Sequence, residues 1–119
     1  MSEGYLTTHV LDTGRGVPAA GLAIRLYAID GDARTLLAEM VTNEDGRTDS
    51  PILPKGSFKA GVYELVFEAG AYLDAQGTPA EDPRFLDVVP IRFGISDPDA
   101  HYHVPLLLSP FGYSTYRGS

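Results

Sequence analysis

The chain has 119 residues, of which 44% are hydrophobic and 21% are charged, and its formal net charge is −7 at pH 7. This length and composition are typical of one globular domain with a true apolar core. The acidic balance argues against a nucleic-acid backbone or an anionic membrane as a partner, and the lack of cysteine excludes disulfides and thiolate metal sites. No stretch approaches the roughly 20 apolar residues of a membrane helix, and the first ten residues do not resemble a signal peptide. We therefore expect a cytoplasmic protein that binds neither nucleic acid nor membrane.

Alternating apolar and polar residues, separated by turn residues, predict a chain made mostly of strands. In chain order, the predicted strands are 5–13, 22–30, 34–42, 61–70, 88–96, 101–109 and a short last strand at 113–116. One helix of at most about two turns is predicted over 71–77. Glycine and proline indicate loops, including a long one at 43–56 that opens with an Asp-Gly turn. Seven or eight short strands predict an all-β sandwich or barrel.

Pro105 lies inside one of these predicted strands. Proline cannot donate a ladder hydrogen bond, so it indicates a sheet edge, a strand start or a bulge. The histidines just upstream would then lie near a sheet edge. Because an edge strand can pair with another chain, we expect a dimer formed through the edges of two sandwiches.

The three histidines are the side chains best suited to proton transfer near neutral pH. His101 and His103 are two apart on a predicted strand, so both side chains point to one face, and His9 lies within the first strand. Each could simply pack on the sheet with one hydrogen bond, but together they favour a functional site. His-x-His is also a zinc-ligand spacing that a third histidine could complete. The possible supporting carboxylates, Asp12 and Asp97, are not specific, so zinc is the minor alternative.

Arg47 follows the Asp-Gly turn of the long loop. Its guanidinium could serve as a planar donor fork for a carboxylate or an imide-like ligand, although spacing alone favours a solvated arginine. The segment "DTGRG" lacks the strand and helix context of a phosphate loop, and no G-x-S-x-G elbow supports a covalent serine mechanism. Glu64 and Glu68 alternate with core positions, which predicts a solvated outer face rather than a catalytic carboxylate pair.

Four segments occur in a characteristic order: "HVLD" near the start, "GR" in the long loop, then "HYHVPLLLSP" and the terminal "YSTYRGS". Together they resemble the 5-hydroxyisourate hydrolases, the transthyretin-like family of purine catabolism, from about Thr7 to Ser119. The terminal Tyr-Arg-Gly-Ser is the feature that separates this family from the hormone-carrying transthyretins. One small departure is Phe111, which stands where a tyrosine is frequent.

The resemblance implies a transthyretin-like (prealbumin-like) β-sandwich of seven or eight strands with one short helix, as a single domain over residues 1–119. It implies a homotetramer, built as a dimer of dimers, with active sites at the dimer–dimer interface. The implied reaction is hydrolysis of 5-hydroxyisourate to 2-oxo-4-hydroxy-4-carboxy-5-ureidoimidazoline in urate degradation. No metal and no organic cofactor are implied.

Carried over residue by residue, the resemblance implies catalytic roles for His9, Arg47 and His103. One histidine would activate the water and the other could protonate the departing nitrogen, while Arg47 would stabilise the developing negative charge. The residues do not decide which histidine takes which role. The implied substrate-binding residues are Tyr116, Ser119 and Arg47, and the implied supporting residues are His101, Arg117 and Gly118.

Two other functions remain open at this point. The first is a carrier that holds a small aromatic ligand in a channel between dimers, although a channel lined with titratable side chains suits an apolar hormone poorly. The second is an immunoglobulin-like interaction module, which would carry its function on loops and would need no histidine cluster. The sandwich fold alone does not choose between them.

Overall fold

A computed structural model describes residues 3–118 of the chain. These residues form two packed four-stranded sheets and one short helix, as the alternating pattern predicts. In chain order the elements are β1 (Tyr5–Asp12), β2 (Val17–Pro18), β3 (Ala23–Asp30), β4 (Ala33–Val41), β5 (Gly61–Glu68), α1 (Ala69–Ala75), β6 (Val88–Ile95), β7 (His101–Ser109) and β8 (Gly112–Thr115). One sheet has the strand order β2-β1-β7-β8 and the other has the order β4-β3-β5-β6.

The core fills the space between the two sheets because each strand buries alternate side chains. On β1, Leu6 and Val10 are fully buried, whereas Thr7 and His9 between them are half-buried on the outer face. The buried side chains of both sheets and of α1 form one apolar cluster. The all-β sandwich predicted from the sequence is therefore confirmed.

β1 and β7 are paired in parallel, with Thr7 opposite His103 in the register. The other strand pairs are antiparallel. This parallel pairing brings a strand from the first part of the chain beside a strand from its last part. It also places the outer face of β1 next to the histidines of β7.

As a whole β7 is not the edge strand that Pro105 indicated, because it lies between β1 and β8, but its first half, which carries the histidines, has no residue of β8 opposite it. The physical reason is that β8 pairs only with the last part of β7, from Leu106 to Ser109. Pro105 stands one residue before that pairing begins, so its missing N–H costs the β7–β8 ladder nothing. Its carbonyl accepts a 2.7 Å hydrogen bond from the Thr115 hydroxyl.

Two local predictions also differ in detail. The helix begins at Ala69 rather than at 71, and the predicted loop 14–21 contains β2, whose two residues pair with the end of β1. α1 is fixed to β1 by the Tyr72 hydroxyl, which donates a 2.8 Å hydrogen bond to the buried carboxylate of Asp12. Burial, followed by this hydrogen bond, raises the pKa of Tyr72.

The outer face of the second sheet carries paired charges. Glu64 forms ion pairs with Arg34 and Arg92, and Glu68 forms one with Arg25. These glutamates belong to β5, in the sheet that does not contain the histidines. Within residues 3–118, no helix is long and apolar enough to cross a membrane.

Candidate active site

His101 and His103 meet at a single hydroxyl on the outer face of the β1–β7 pair. Thr7 Oγ1 lies 2.6 Å from His101 Nε2 and 2.8 Å from His103 Nδ1. All three side chains are half-buried. A hydroxyl has one proton, so Thr7 can donate to one ring only and must accept a hydrogen bond from the other. The Thr7 hydroxyl therefore connects the two imidazoles by hydrogen bonds, and at least one of the two rings must donate to it.

His9 lies on the same face, and its ring centroid is 6.5 Å from that of His103. Its Nε2 is 2.9 Å from the backbone carbonyl oxygen of Asp45. A carbonyl can only accept, so Nε2 carries the proton. In the neutral ring, Nδ1 is then the nitrogen with the free lone pair. The carbonyl thus fixes both the orientation and the tautomer of His9.

Arg47 is brought beside His9 by the tight turn of the long loop, through an isolated antiparallel bridge between the two residues. The Asn43 side-chain oxygen accepts hydrogen bonds from the backbone N–H groups of Asp45 and Arg47, which shapes the turn. Gly46 has a φ of 77°, and a Cβ there would lie 2.3 Å from the Val10 carbonyl oxygen. Only glycine allows the turn to pack this closely on β1, so the Asp-Gly turn also positions Arg47.

The pKa of His103 is lowered, first by burial and then by the charges of Arg47 and of the other two histidines. Burial disfavours the charged imidazolium, and each nearby positive charge adds to that penalty. His103 is therefore neutral at pH 7, the form in which a histidine can accept a proton.

A cavity of about 470 Å³ opens over this cluster, which is within the usual range for a small-molecule site. We call it the histidine cavity. It is lined by Tyr5, Thr7, Thr8, Arg47, Thr48, Asp49, Ser50, Pro51, His101 and His103. His9 does not line it but lies next to His103, as described above. The walls combine hydroxyls, two imidazoles, one guanidinium and one carboxylate, so they suit a polar ligand.

The described part of the C-terminal tetrapeptide is divided between two places. The Gly118 N–H donates a 2.7 Å hydrogen bond to the His103 carbonyl. A Cβ at Gly118 would lie 2.7 Å from His103 Cδ2, so the missing side chain lets the tail rest against the imidazole. Gly118 is therefore a contact of the histidine cluster.

Tyr116 and Arg117, in contrast, line a second cavity of about 230 Å³ together with Tyr102 and residues of β6. The Arg117 guanidinium stacks over the Tyr102 ring, 3.9 Å from its centroid. The Tyr102 hydroxyl accepts hydrogen bonds from the backbone N–H groups of Ser96 and Asp97. Hydrogen bonding by Ser96, and then by Asp97, lowers the pKa of Tyr102. The single chain thus does not bring Tyr116 to the histidine cavity, and Ser119 lies outside the described residues.

Across residues 3–118, no group of three or more histidine, cysteine, aspartate or glutamate side chains is placed to hold a metal ion. Two of the histidine nitrogens are already engaged by Thr7. Asp12 is engaged by Tyr72, and the Asp97 carboxylate accepts the backbone N–H of Asp99.

Sequence reasoning missed Thr7 as part of this site. The alternating pattern placed Thr7 and His9 on one face of β1, but nothing local indicated that β1 pairs in parallel with β7. Tyr5 was missed for the same reason, and its ring stacks on His101 at 4.1 Å with an 8° angle between the planes.

A sandwich of this topology, with a polar histidine cavity on the outer face of the β1–β7 pair, points to the transthyretin class of proteins. The sequence profile described as "Transthyretin: HIUase/Transthyretin family" matches residues 6–118. The chain therefore belongs to the HIUase/Transthyretin family, and the resemblance inferred from its motifs is confirmed.

The relatives of this chain include proteins named as hydrolases and proteins named as transthyretins. The chain is 60% identical over 117 residues to a Rhizobium meliloti protein named 5-hydroxyisourate hydrolase 2, covering 98% of each chain. It matches the crystal structure of an (S)-allantoin synthase at 47% identity with a TM-score of 0.93, covering 99% of this chain and 44% of that longer one. It also matches sea bream transthyretin in complex with thyroxine at 31% identity with a TM-score of 0.84, covering 95% of this chain and 93% of that one.

Proposed function

We propose that the protein hydrolyses 5-hydroxyisourate to 2-oxo-4-hydroxy-4-carboxy-5-ureidoimidazoline, a step of urate degradation. The observation that carries this proposal is the histidine cavity, which is lined by a neutral His103 and by Arg47, with His9 next to His103. The 60% identical relative that covers nearly the whole chain bears the name of this activity. We further infer that residues 1–119 act as one domain, since the described residues share one apolar core.

His103 is the general base in this proposal. It lines the cavity, and its lowered pKa keeps it neutral near pH 7. It takes a proton from the attacking water while the water oxygen bonds to the ring carbonyl carbon. Since the reactive form is neutral His103, whose pKa is lowered, the fall of kcat/KM on the acid side should lie below the usual histidine range.

His9 and Arg47 act on the two other groups of the reaction. Arg47 donates hydrogen bonds to the oxyanion that forms on the attacked carbonyl, where one preorganised donor contributes roughly 3–4 kcal/mol. His9, protonated on the Nδ1 that the Asp45 carbonyl leaves free, gives a proton to the ring nitrogen as the C–N bond breaks. In the overall reaction, one amide bond and one water molecule give a carboxyl group and an N–H group. His103 and His9 then return to their starting protonation states by exchanging protons with solvent.

We also propose a homotetramer, built as a dimer of dimers with the active sites at the dimer–dimer interface. Within residues 3–118, β8 is one edge strand of the first sheet and β6 is one edge strand of the second, and neither has a strand partner on its outer side. The second cavity lies between β6 and the segment after β8, so both edges are on the same side of the sandwich. Pairing with a second copy would cover both edges at once. In such an assembly Tyr116 and Ser119 could serve the site of a neighbouring subunit, and sedimentation velocity would measure the assembly directly.

A thyroxine carrier is the competing function, because the sea bream transthyretin is solved with thyroxine. An apolar hormone favours an apolar pocket with few polar groups. The histidine cavity instead presents two imidazoles, an arginine and several hydroxyls. That lining favours a small polar substrate over a hormone.

The test is the decay of freshly generated 5-hydroxyisourate, followed by its ultraviolet absorbance. The wild type should accelerate the decay, and His103→Ala should lose about 10²–10⁴-fold in kcat. The control is Lys59→Ala, an exposed substitution outside the cavity, which should behave as the wild type. Background decay with a folded wild type would refute the hydrolase, and thyroxine binding would then be measured.

A further inference from the structure

We propose that Thr7 and His101 are positioning residues that hold His103 in the tautomer with the proton on Nδ1, leaving Nε2 free to act as the base. This proposal deepens the proposed hydrolase function and rests on it. It adds Thr7 to the functional residues, and it gives His101 a defined task that acts through His103.

Because a hydroxyl oxygen has two lone pairs, both rings can donate to Thr7 Oγ1, and that arrangement also puts the proton of His103 on Nδ1. If the Thr7 hydroxyl instead donates to one of the two rings, two arrangements remain. In the first, His103 Nδ1–H donates to Thr7 Oγ1 and the Thr7 hydroxyl donates to His101 Nε2. In the second, every donor and acceptor is reversed, so that His103 Nδ1 accepts. Of these two, only the first leaves a lone pair on His103 Nε2, because a neutral imidazole carries one proton.

The distances favour the first arrangement. Hydroxyl donors make shorter hydrogen bonds than ring N–H donors do. The shorter contact, 2.6 Å, joins Thr7 to His101, and the longer one, 2.8 Å, joins Thr7 to His103. A hydroxyl that donates to His101 must accept from His103, and the tautomer of His103 follows.

His101 is itself held in place to receive that hydroxyl proton. Its ring stacks on the Tyr5 ring, with 4.1 Å between the two centroids. The Lys55 ammonium lies 5.7 Å from the centroid of that Tyr5 ring. Stacking fixes the plane of the imidazole, so Nε2 stays directed at Thr7. The register places Tyr5 opposite His101 and Thr7 opposite His103, so two pairs of the same ladder, with one pair between them, build this arrangement.

The chain also supports His103 during the reaction. When Nε2 takes the proton from water, the ring becomes an imidazolium whose Nδ1–H already has an acceptor. Hydrogen bonds in a connected chain strengthen one another, so the charged ring is stabilised as it forms. Gly118 closes the other side of the ring without adding a competing polar side chain.

The direct test is the 15N spectrum of the imidazoles at a pH where His103 is neutral, a readout that does not require substrate. The wild type should show a protonated Nδ1 and an unprotonated Nε2 on His103. In Thr7→Val, which keeps the β-branched shape but has no hydroxyl, that preference should be lost. An unprotonated Nδ1 in the wild type would overturn the proposal whether or not the protein is a hydrolase.

Kinetics provide the second test. Thr7→Val should lower kcat by roughly 10²-fold with little change in KM, since the base is impaired and the cavity keeps its shape. Thr7→Ser, which restores the hydroxyl, should recover most of the rate. His101→Phe can keep the stack on Tyr5 but offers no hydrogen-bond acceptor. Its kcat should therefore lie between those of Thr7→Val and Thr7→Ser.

The matched control is Thr13→Val. The Thr13 hydroxyl also bonds to β7, donating to the Leu108 carbonyl at 3.0 Å, but it is outside the histidine cavity. It should leave kcat unchanged. An active wild type with an unimpaired Thr7→Val variant would refute the positioning role alone, whereas an inactive wild type would refute the proposed function.

Discussion

The first and last halves of β7 pack in different ways, although they belong to one continuous strand. From His101 to Pro105, the strand pairs with β1 on one side, and on the other side an isolated bridge joins His103 to Gly118. From Leu106 to Ser109, it is paired with β1 and with β8. The first half presents half-buried imidazoles outward, and the second half is largely apolar.

This difference confines the outward-facing imidazoles to one half of the nine-residue strand, although both halves also bury apolar side chains in the core. The fully paired half supplies buried apolar area, and that is the main favourable term in folding. The half that lacks a neighbouring strand leaves room for a cavity and for a tail that reaches the imidazole. Substitutions in the two halves should therefore affect different measurements.

The largest expected effect is on stability, from Leu106→Ala in the fully paired half. Leu106 is fully buried in the apolar core. Its truncation leaves a cavity, so we expect the free energy of unfolding to fall by about 2–5 kcal/mol. Urea unfolding measures this loss. The folded variant should keep the wild-type kcat/KM at low temperature, and a large loss of activity in the folded state would break the comparison.

The next effect is on activity, from Gly118→Ala beside the first half. The added Cβ would lie 2.7 Å from His103 Cδ2, so either the tail or the imidazole must move. A displacement of about 1 Å in a catalytic group can cost roughly 10²-fold in rate. The loss of the one hydrogen bond that the half-buried Gly118 donates should cost only about 1 kcal/mol of stability.

Gly112→Ala is the matched control for this prediction. Gly112 is in β8, and its added Cβ would make only an ordinary contact, 3.7 Å from the Ser109 hydroxyl. The control should retain its activity in the ultraviolet decay assay. Equal loss of rate in both variants would mean that the tail does not act through His103.

The same contrast explains what the sequence could predict. The placement of His101 and His103 on one face follows from the alternation of a single strand, which is a local property. The Asp-Gly turn that positions Arg47 is also local, since Gly46 and Asn43 shape it. These parts of the site needed no knowledge of the rest of the chain.

Contacts between distant parts of the chain were not predictable in that way. Thr7 and His103 are 96 residues apart, and their contact depends on a parallel pairing that no local pattern reveals. Pro105 suggested an edge strand because a proline cannot donate a ladder bond, but a ladder can also begin just after it. The resemblance implies that residues of the tail serve the site, but it does not indicate that Arg117 is held by Tyr102 while the next residue reaches His103.

The smallest expected effect is a pH dependence of stability that arises in the first half of β7. The folded protein lowers the pKa of His103 through burial and through neighbouring charges, Arg47 first among them. In the unfolded chain the pKa returns to about 6.5. The unfolded state then binds more protons, so the free energy of unfolding should fall as the pH drops through about 6.5 and level off below the folded-state pKa.

His103→Asn should flatten this part of the pH profile, as measured by urea unfolding at a series of pH values. Arg47→Met removes one of the charges that lower the pKa, so it should raise the His103 pKa toward its ordinary value in an NMR titration. Lys59→Ala should leave that titration unchanged because Lys59 is not among the charges that act on His103. A stability that rises as the pH falls through this range would show that the imidazolium is favoured in the folded state, and His103 could then not be the neutral base.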